Sequence, residues 1–213
     1  VLENIRKTFE KYIRAAVRQI ARGIHAISRG HIRPNDITIA GLFMHIPIAV
    51  LVALNHLYWA AGLLIVFGLF DTLDGELARL QKRVSDIGGF LDTVSDRVKE
   101  LLLYAGIIYL FAENAEPSIV LLMTILACGT SLITPFVKAK GEAIIATYGH
   151  ELSYDKLNRM FGGGILPYEV RILSIVAGLL LGMQFLPWVV TIIAVLATLT
   201  MVERLLAVVR SIR

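Results

Sequence analysis

The chain has 213 residues, 56% of them hydrophobic and 18% charged, with a net charge of +4. A mean hydropathy of +0.70, with a charged fraction below the roughly 25% of soluble domains, argues against an ordinary water-soluble enzyme and for one helical membrane domain over residues 1–213. The single cysteine, Cys128, lies in the apolar run TILACGTSLI and excludes a disulfide framework within the chain.

Residues 1–31 lack the uninterrupted apolar core of a cleavable leader. Instead, Leu2, Ile5, Phe9, Ile13, Val17, Ile20, Ile24 and Ile27 fall on one helical face. Arg6, Lys7, Lys11, Arg14, Arg18 and Arg22 dominate the other side, which predicts an amphipathic helix lying on an anionic membrane surface. Packing on a partner domain is the alternative. Nucleic acid is not an expected partner, because so apolar a chain follows. In RPNDIT, Pro34 stops this helix and Asn35 or Asp36 is expected to cap the next one.

Six hydrophobic spans follow, at 36–55, 58–80, 88–112, 117–147, 168–185 and 187–209. A helix needs about 20 residues to cross the hydrocarbon core, and several spans reach that length only if their polar ends line a protein interior. The expected fold is therefore all-α: a six-helix transmembrane bundle over 36–209, preceded by the amphipathic juxtamembrane helix. The turns at Asn55-His56, Ala112–Pro117 and Gln184–Pro187 contain no lysine or arginine. The 21 basic residues fall in the first helix, the other connections and the adjoining span ends. The positive-inside rule then predicts a cell-membrane protein with both termini facing the cytoplasm.

The informative anomaly is FDTLDGELARLQKRVSDIGGFLDTVSDRVKE. Asp71 and Asp74 stand at i,i+3 and Asp92 and Asp96 at i,i+4, so each pair shares a helical face. Ionisable groups at membrane depth are expensive and mark functional sites by default. Gly88 and Gly89 would let the two helices come close. Four carboxylates in one pocket would repel one another, and Mg2+ or Mn2+, which favour oxygen ligands, would relieve that penalty. Gly75 and Ala78 leave room for a bulky ligand, and Arg79 supplies a guanidinium suited to phosphate. An acidic path in a channel or transporter is the competing reading; the Gly75–Ala78–Arg79 block points to a phosphate-bearing ligand instead. Asp86, in the basic turn, reads as a solvated charge.

Residues 71–96 match D-x-x-D-G-x-x-A-R-x8-G-x3-D-x3-D at all eight fixed positions. This resembles the signature of the CDP-alcohol phosphotransferases, integral membrane enzymes, and the span plan extends the resemblance over essentially the whole chain. The resemblance implies phosphatidyl transfer from CDP-diacylglycerol or CDP-archaeol to a polar alcohol, with release of CMP. It implies Asp71, Asp74 and Asp92 as metal ligands, with Asp96 holding metal or acting as general base on the acceptor. Gly75, Ala78 and Arg79 would line the nucleotide site. Asn35 and Thr38, within a P-N-x-x-T segment common in the family, would help shape it. A homodimer is also implied.

The acceptor is less sharply marked. Lys138, Lys140 and Glu142 in TPFVKAKGEA resemble the S-Y-[VI]-[KR]-A-R-A-E-A segment of phosphatidylinositol-phosphate and archaetidylinositol-phosphate synthases. Arg171 aligns with the last arginine of their E-R-x-E-R segment. Lys138, Lys140 and Arg171 are thus the expected acceptor-binding residues, and inositol phosphate the expected acceptor. The departures are Lys140 for arginine, Gly141 for alanine, and Pro167, Tyr168 and Val170 where that family has glutamate, arginine and glutamate. A lysine attracts phosphate as a point charge but lacks the bidentate fork. Glycerol 3-phosphate or another head-group alcohol is the runner-up, and a non-catalytic transporter or lipid-binding protein the reading from another class. Gly162–Gly164, in the one long connection, is a further glycine-rich candidate for phosphate.

Overall fold

The structure is a computed structural model and describes residues 2–147 and 166–212; Gly162–Gly164 lie outside them. The described chain is all-helical. Its elements are α1 (Leu2–Ser28), α2 (Pro34–Ala53), α3 (Leu57–Gly68), α4 (Phe70–Gln81), α5 (Asp86–Glu113), α6 (Ser118–Thr147), α7 (Tyr168–Leu181) and α8 (Leu186–Ile212).

Local chemistry sets the boundaries. After α1, Arg29 and Gly30 both take positive φ, and Gly30 N–H closes the helix end on His25 O at 3.1 Å. α2 begins earlier than expected: Arg33 is its N-cap and Pro34 its first residue, where the missing N–H of proline costs nothing. Asp36 still serves the cap, because its Oδ2 accepts from Arg33 N–H at 2.8 Å. Asn35 is carried inside the helix and left free to face the site. Ser85 caps α5 by accepting from Gly88 N–H at 3.1 Å. The expected span 58–80 is interrupted by a single turn at Leu69, next to Gly68, and becomes α3 and α4. The break puts α4, which carries the first acid pair, on its own short helix.

Among the described residues, four stretches are long and apolar enough to cross a membrane: Pro34–Ala53, Leu57–Gln81, Ser118–Ile144 and Leu186–Arg210. Large apolar side chains face outward along these helices and their neighbours, among them Phe43, Trp59, Leu101, Ile125 and Trp188. A surface this apolar needs lipid rather than water around it. Inside, α2 packs along α5, α6 along α8, and α7 between α3 and α8. The main core joins Ile48 and Val52 of α2 to Tyr104, Ile107 and Phe111 of α5, Ile175 of α7 and Ile193 of α8. Gly106 permits the closest seam, since a Cβ there would stand 2.5 Å from Ala49 O of α2.

A second, smaller core holds α1 to α4 through Val17, Ala21, Ile37, Leu73 and Leu77. The apolar face of α1 is therefore only partly spent on the protein. Val17 and Ala21 are buried, while Ile20 and Ile27 remain exposed.

A carboxylate cluster beside a glycine-lined cleft

α4 supplies Asp71, Asp74, Gly75, Ala78 and Arg79, and α5 supplies Gly88, Asp92 and Asp96. The sequence reading has these two helices approach each other directly. In the structure α2 lies against both, and α4 also packs extensively on α1. Gly88 serves that arrangement: a Cβ there would lie 3.4 Å from Asn35 Oδ1 of α2.

The acids divide into two settings. Asp71, Asp92 and Asp96 bring carboxylate oxygens within 4.8 Å of one another. Asp74 stands apart, 7% exposed, with its Oδ2 accepting from Thr38 Oγ1 at 2.5 Å. Asp92 Oδ1 is buried and has no hydrogen-bond partner among the described residues. A buried carboxylate oxygen without a donor is costly, and a cation resolves it. Magnesium and calcium bind oxygen at about 2.0–2.6 Å, so oxygens on opposite sides of one ion lie about 4–5 Å apart. The three-carboxylate cluster fits that spacing, and its hard oxygen donors suit Mg2+ or Mn2+.

Beside the cluster lies an open cleft of about 190 Å³, with Asp74 and Asp92 in its wall. Every residue expected at the nucleotide lines it: Asn35 and Thr38 from α2, and Gly75, Ala78 and Arg79 from α4. Arg83, Val84 and Ser85 of the following turn complete it with Gly88 and Gly89. The Arg79 guanidinium lies over Gly75, 3.5 Å from where a Cβ would stand. Glu76, 4% exposed, holds that guanidinium at 2.8 Å and also accepts from Arg18 of α1 at 3.1 Å. The first helix is thereby tied to the cleft.

The expected acceptor residues are placed less uniformly. Lys138 is partly exposed on α6 with Glu142 3.8 Å away, and Lys140 is exposed. Arg171 is buried, and its Nε donates to Glu100 Oε1 at 2.6 Å. Glu100 also accepts from Arg97 at 2.9 Å, and Arg97 stands 3.9 Å from Asp96. Both guanidinium groups lie against the Tyr168 ring, with Arg97 5.1 Å and Arg171 5.6 Å from its centre. A continuous charged network thus runs from Asp96 to Arg171.

Lys99 is the residue the sequence reading passes over. Its Nζ donates to Asp71 Oδ1 and lies 3.4 Å from Asp96 Oδ1. Glu76, Arg97, Glu100 and Tyr168 are missed as well. The signal was present: Lys99 and Glu100 lie inside the expected span 88–112, against the apolar run that begins at Leu101, and the membrane argument that singles out the aspartates applies to them equally.

Comparison with known proteins gives the family and the fold. The CDP-alcohol phosphatidyltransferase profile matches residues 31–209. The archaetidylinositol phosphate synthase of Methanothermobacter thermautotrophicus is 30% identical over 89% of this chain and 90% of its own length. The phosphatidylinositol phosphate synthase of Mycobacteroides abscessus is 28% identical over 86% and 80%. A crystal structure of the Mycobacterium tuberculosis phosphatidylinositol phosphate synthase with CDP-DAG bound matches with a TM-score of 0.76 at 25% identity, over 90% of this chain and 92% of that one. The same enzyme with manganese and citrate gives 0.76 at 24% identity, over 90% and 88%, a likeness of fold. With the eight-position signature, the carboxylate cluster and a profile match over most of its length, the chain belongs to the CDP-alcohol phosphatidyltransferase family, as a membrane transferase of phospholipid biosynthesis.

Proposed function

We propose that the enzyme transfers the phosphatidyl or archaetidyl group of CDP-diacylglycerol or CDP-archaeol to inositol phosphate, releasing CMP. One observation carries the reading: the cleft formed by the signature residues shares Asp92 with the carboxylate cluster. A diphosphate in that cleft would reach the acids.

Asn35, Thr38, Gly75 and Ala78 would shape the cytidine diphosphate site, with Arg79 pairing a phosphate. Asp71, Asp92 and Asp96 would hold Mg2+ or Mn2+, with Asp74 completing the acidic set beside Thr38; the ion, when bound, neutralises the diphosphate and aids departure of CMP. Asp96, partly exposed at the cluster, is assigned as general base. The acceptor oxygen bonds to the phosphatidyl phosphorus, its proton passes to Asp96, and the bond from that phosphorus to the CMP oxygen breaks. Transfer is direct, with no covalent enzyme intermediate.

The acceptor assignment rests on the similarity to inositol-phosphate-using synthases and on the charged network behind Asp96. Arg97 stands 3.9 Å from Asp96 with Arg171 behind it across Glu100, and Arg97 Nε is buried without a hydrogen-bond partner among the described residues. Lys138 and Lys140 would add positive charge at the approach to the site. We assign six membrane spans, counting α5 and α7 with the four apolar stretches. α5 has 28 residues, about 42 Å at helical rise, enough to cross, while the 14 residues of α7 reach a crossing length only with the rest of the expected span 168–185. In this reading α1 lies on the cytoplasmic face of the cell membrane, both termini and the site face the cytoplasm, and the enzyme works as a homodimer.

The test is CMP release by purified protein given either lipid donor, Mg2+ or Mn2+, and a panel of alcohols. Release should be fastest with inositol phosphate. Preference for glycerol 3-phosphate would move the acceptor assignment, and no release from any donor and acceptor pair would refute the catalytic reading. Asp96→Asn should nearly abolish turnover while keeping CDP-lipid binding; a native rate in that variant would remove Asp96 as the base.

A further inference from the structure

Lys99 lies on the same helical face as Asp92 and Asp96, three residues past the latter. Its side chain is 2% exposed, whereas Arg18 and Arg79 reach solvent. The stem runs in the seam with α2, its Cε 3.9 Å from where a Cβ on Gly41 would stand. A buried ammonium is costly unless paired, and the partners that offset this one are Asp71 and Asp96, two of the three clustered carboxylates.

That places a fixed positive charge where a divalent ion is expected. Asp71 Oδ1 cannot serve an ammonium and a metal at full strength together, and two cations a few ångströms apart repel. Helix attachment and burial keep Lys99 from withdrawing far. Without it, three carboxylates would face one another with only Arg97, 3.9 Å from Asp96, to offset their mutual repulsion.

We propose that Lys99 is a tethered counter-cation that holds the acidic cluster together in the absence of metal and, by competing for Asp71 and Asp96, weakens metal binding. The proposal rests on the metal-dependent reading above. It also has a consequence for order of binding. An anionic diphosphate in the adjoining cleft offsets the surplus positive charge, so metal and nucleotide bind cooperatively, each raising the affinity of the other.

The experiment measures Mn2+ affinity directly, by the free-ion electron paramagnetic resonance signal, in detergent-purified native protein, Lys99→Met and Lys99→Arg, with and without CDP. Lys99→Met should bind Mn2+ at least about fivefold more tightly, the lower end of ordinary coupling between ligands, and should gain less from CDP. Lys99→Arg, which keeps the charge, should stay close to native. Metal-free Lys99→Met should also unfold at a lower temperature than metal-free native protein. Equal or weaker Mn2+ binding by Lys99→Met overturns the proposal. If that variant survives purification only with Mn2+ present, stepwise chelation decides: release at lower chelator than native overturns it, release at higher chelator supports it. Native protein that binds no Mn2+ even with CDP would refute the metal reading itself, a different failure.

Discussion

Replacing Thr38 by valine removes the hydroxyl at the junction of cleft and acids, which donates to Asp74 Oδ2 and lies 3.4 Å from Pro34 O. Thr38 is 4% exposed and Asp74 7%, so water cannot readily substitute for the lost hydroxyl. Valine keeps the branched shape and puts a methyl group where Oγ1 donates to Asp74 Oδ2. A hydrogen bond to a charged group contributes about 1.5–3 kcal/mol net. Falling wholly on nucleotide binding, that loss weakens CDP affinity roughly 10- to 150-fold, at about 1.4 kcal/mol per tenfold. Falling on folding, it appears as a lower unfolding temperature instead. Calorimetric CDP binding and thermal unfolding, both on detergent-purified protein, divide the two contributions. Thr38→Ser, which restores the hydroxyl, should recover most of the loss. The reasoning fails if valine changes neither quantity, or if serine is as impaired as valine.

Two further substitutions test the scaffold around the site. Glu76→Gln weakens the anchor shared by Arg18 and Arg79. Because Arg79 is 54% exposed, the coupling is screened to about 1 kcal/mol, so the KM for the CDP-lipid should rise roughly fivefold with kcat little changed; an unaltered KM in initial-rate assays would show that Arg79 needs no aiming. Gly106→Ala puts a Cβ 2.5 Å from Ala49 O and forces the α2–α5 backbones apart, an overpacking cost of about 1–3 kcal/mol. Its unfolding temperature should drop, while Gly129→Ala, where a Cβ meets nothing within 4 Å, should not lower it; equal behaviour of the two would contradict the close seam.

The parts of this site that can be read in the sequence are those that depend on spacing within one helix. Asp71 with Asp74, Asp92 with Asp96, and Gly75 with Ala78 and Arg79 are short-range relations, and a helical period alone places each set on one face. The role of α2 is of another kind. Asn35 and Thr38 reach the cleft because α2 packs against both α4 and α5, a long-range contact that no local period encodes. The same limit separates Asp74 from the other acids: its partner, Thr38, is 36 residues away. Helix boundaries followed cap chemistry but shifted where two rules competed, as when Pro34 took the first helical position and moved the cap back to Arg33. The basic and acidic residues inside α5 follow a different logic. A charge within a membrane helix needs a partner, so Lys99 and Glu100 announce that oppositely charged groups must face them from elsewhere in the chain. The structure supplies Asp71 to Lys99 and Arg171 to Glu100. Arg171, read alone, suggests a free phosphate-binding cation; in the structure it shares Glu100 with Arg97, which is the cation nearer the base. In an apolar chain, ionisable residues are therefore better interpreted as a set whose charges must balance than as separate candidates.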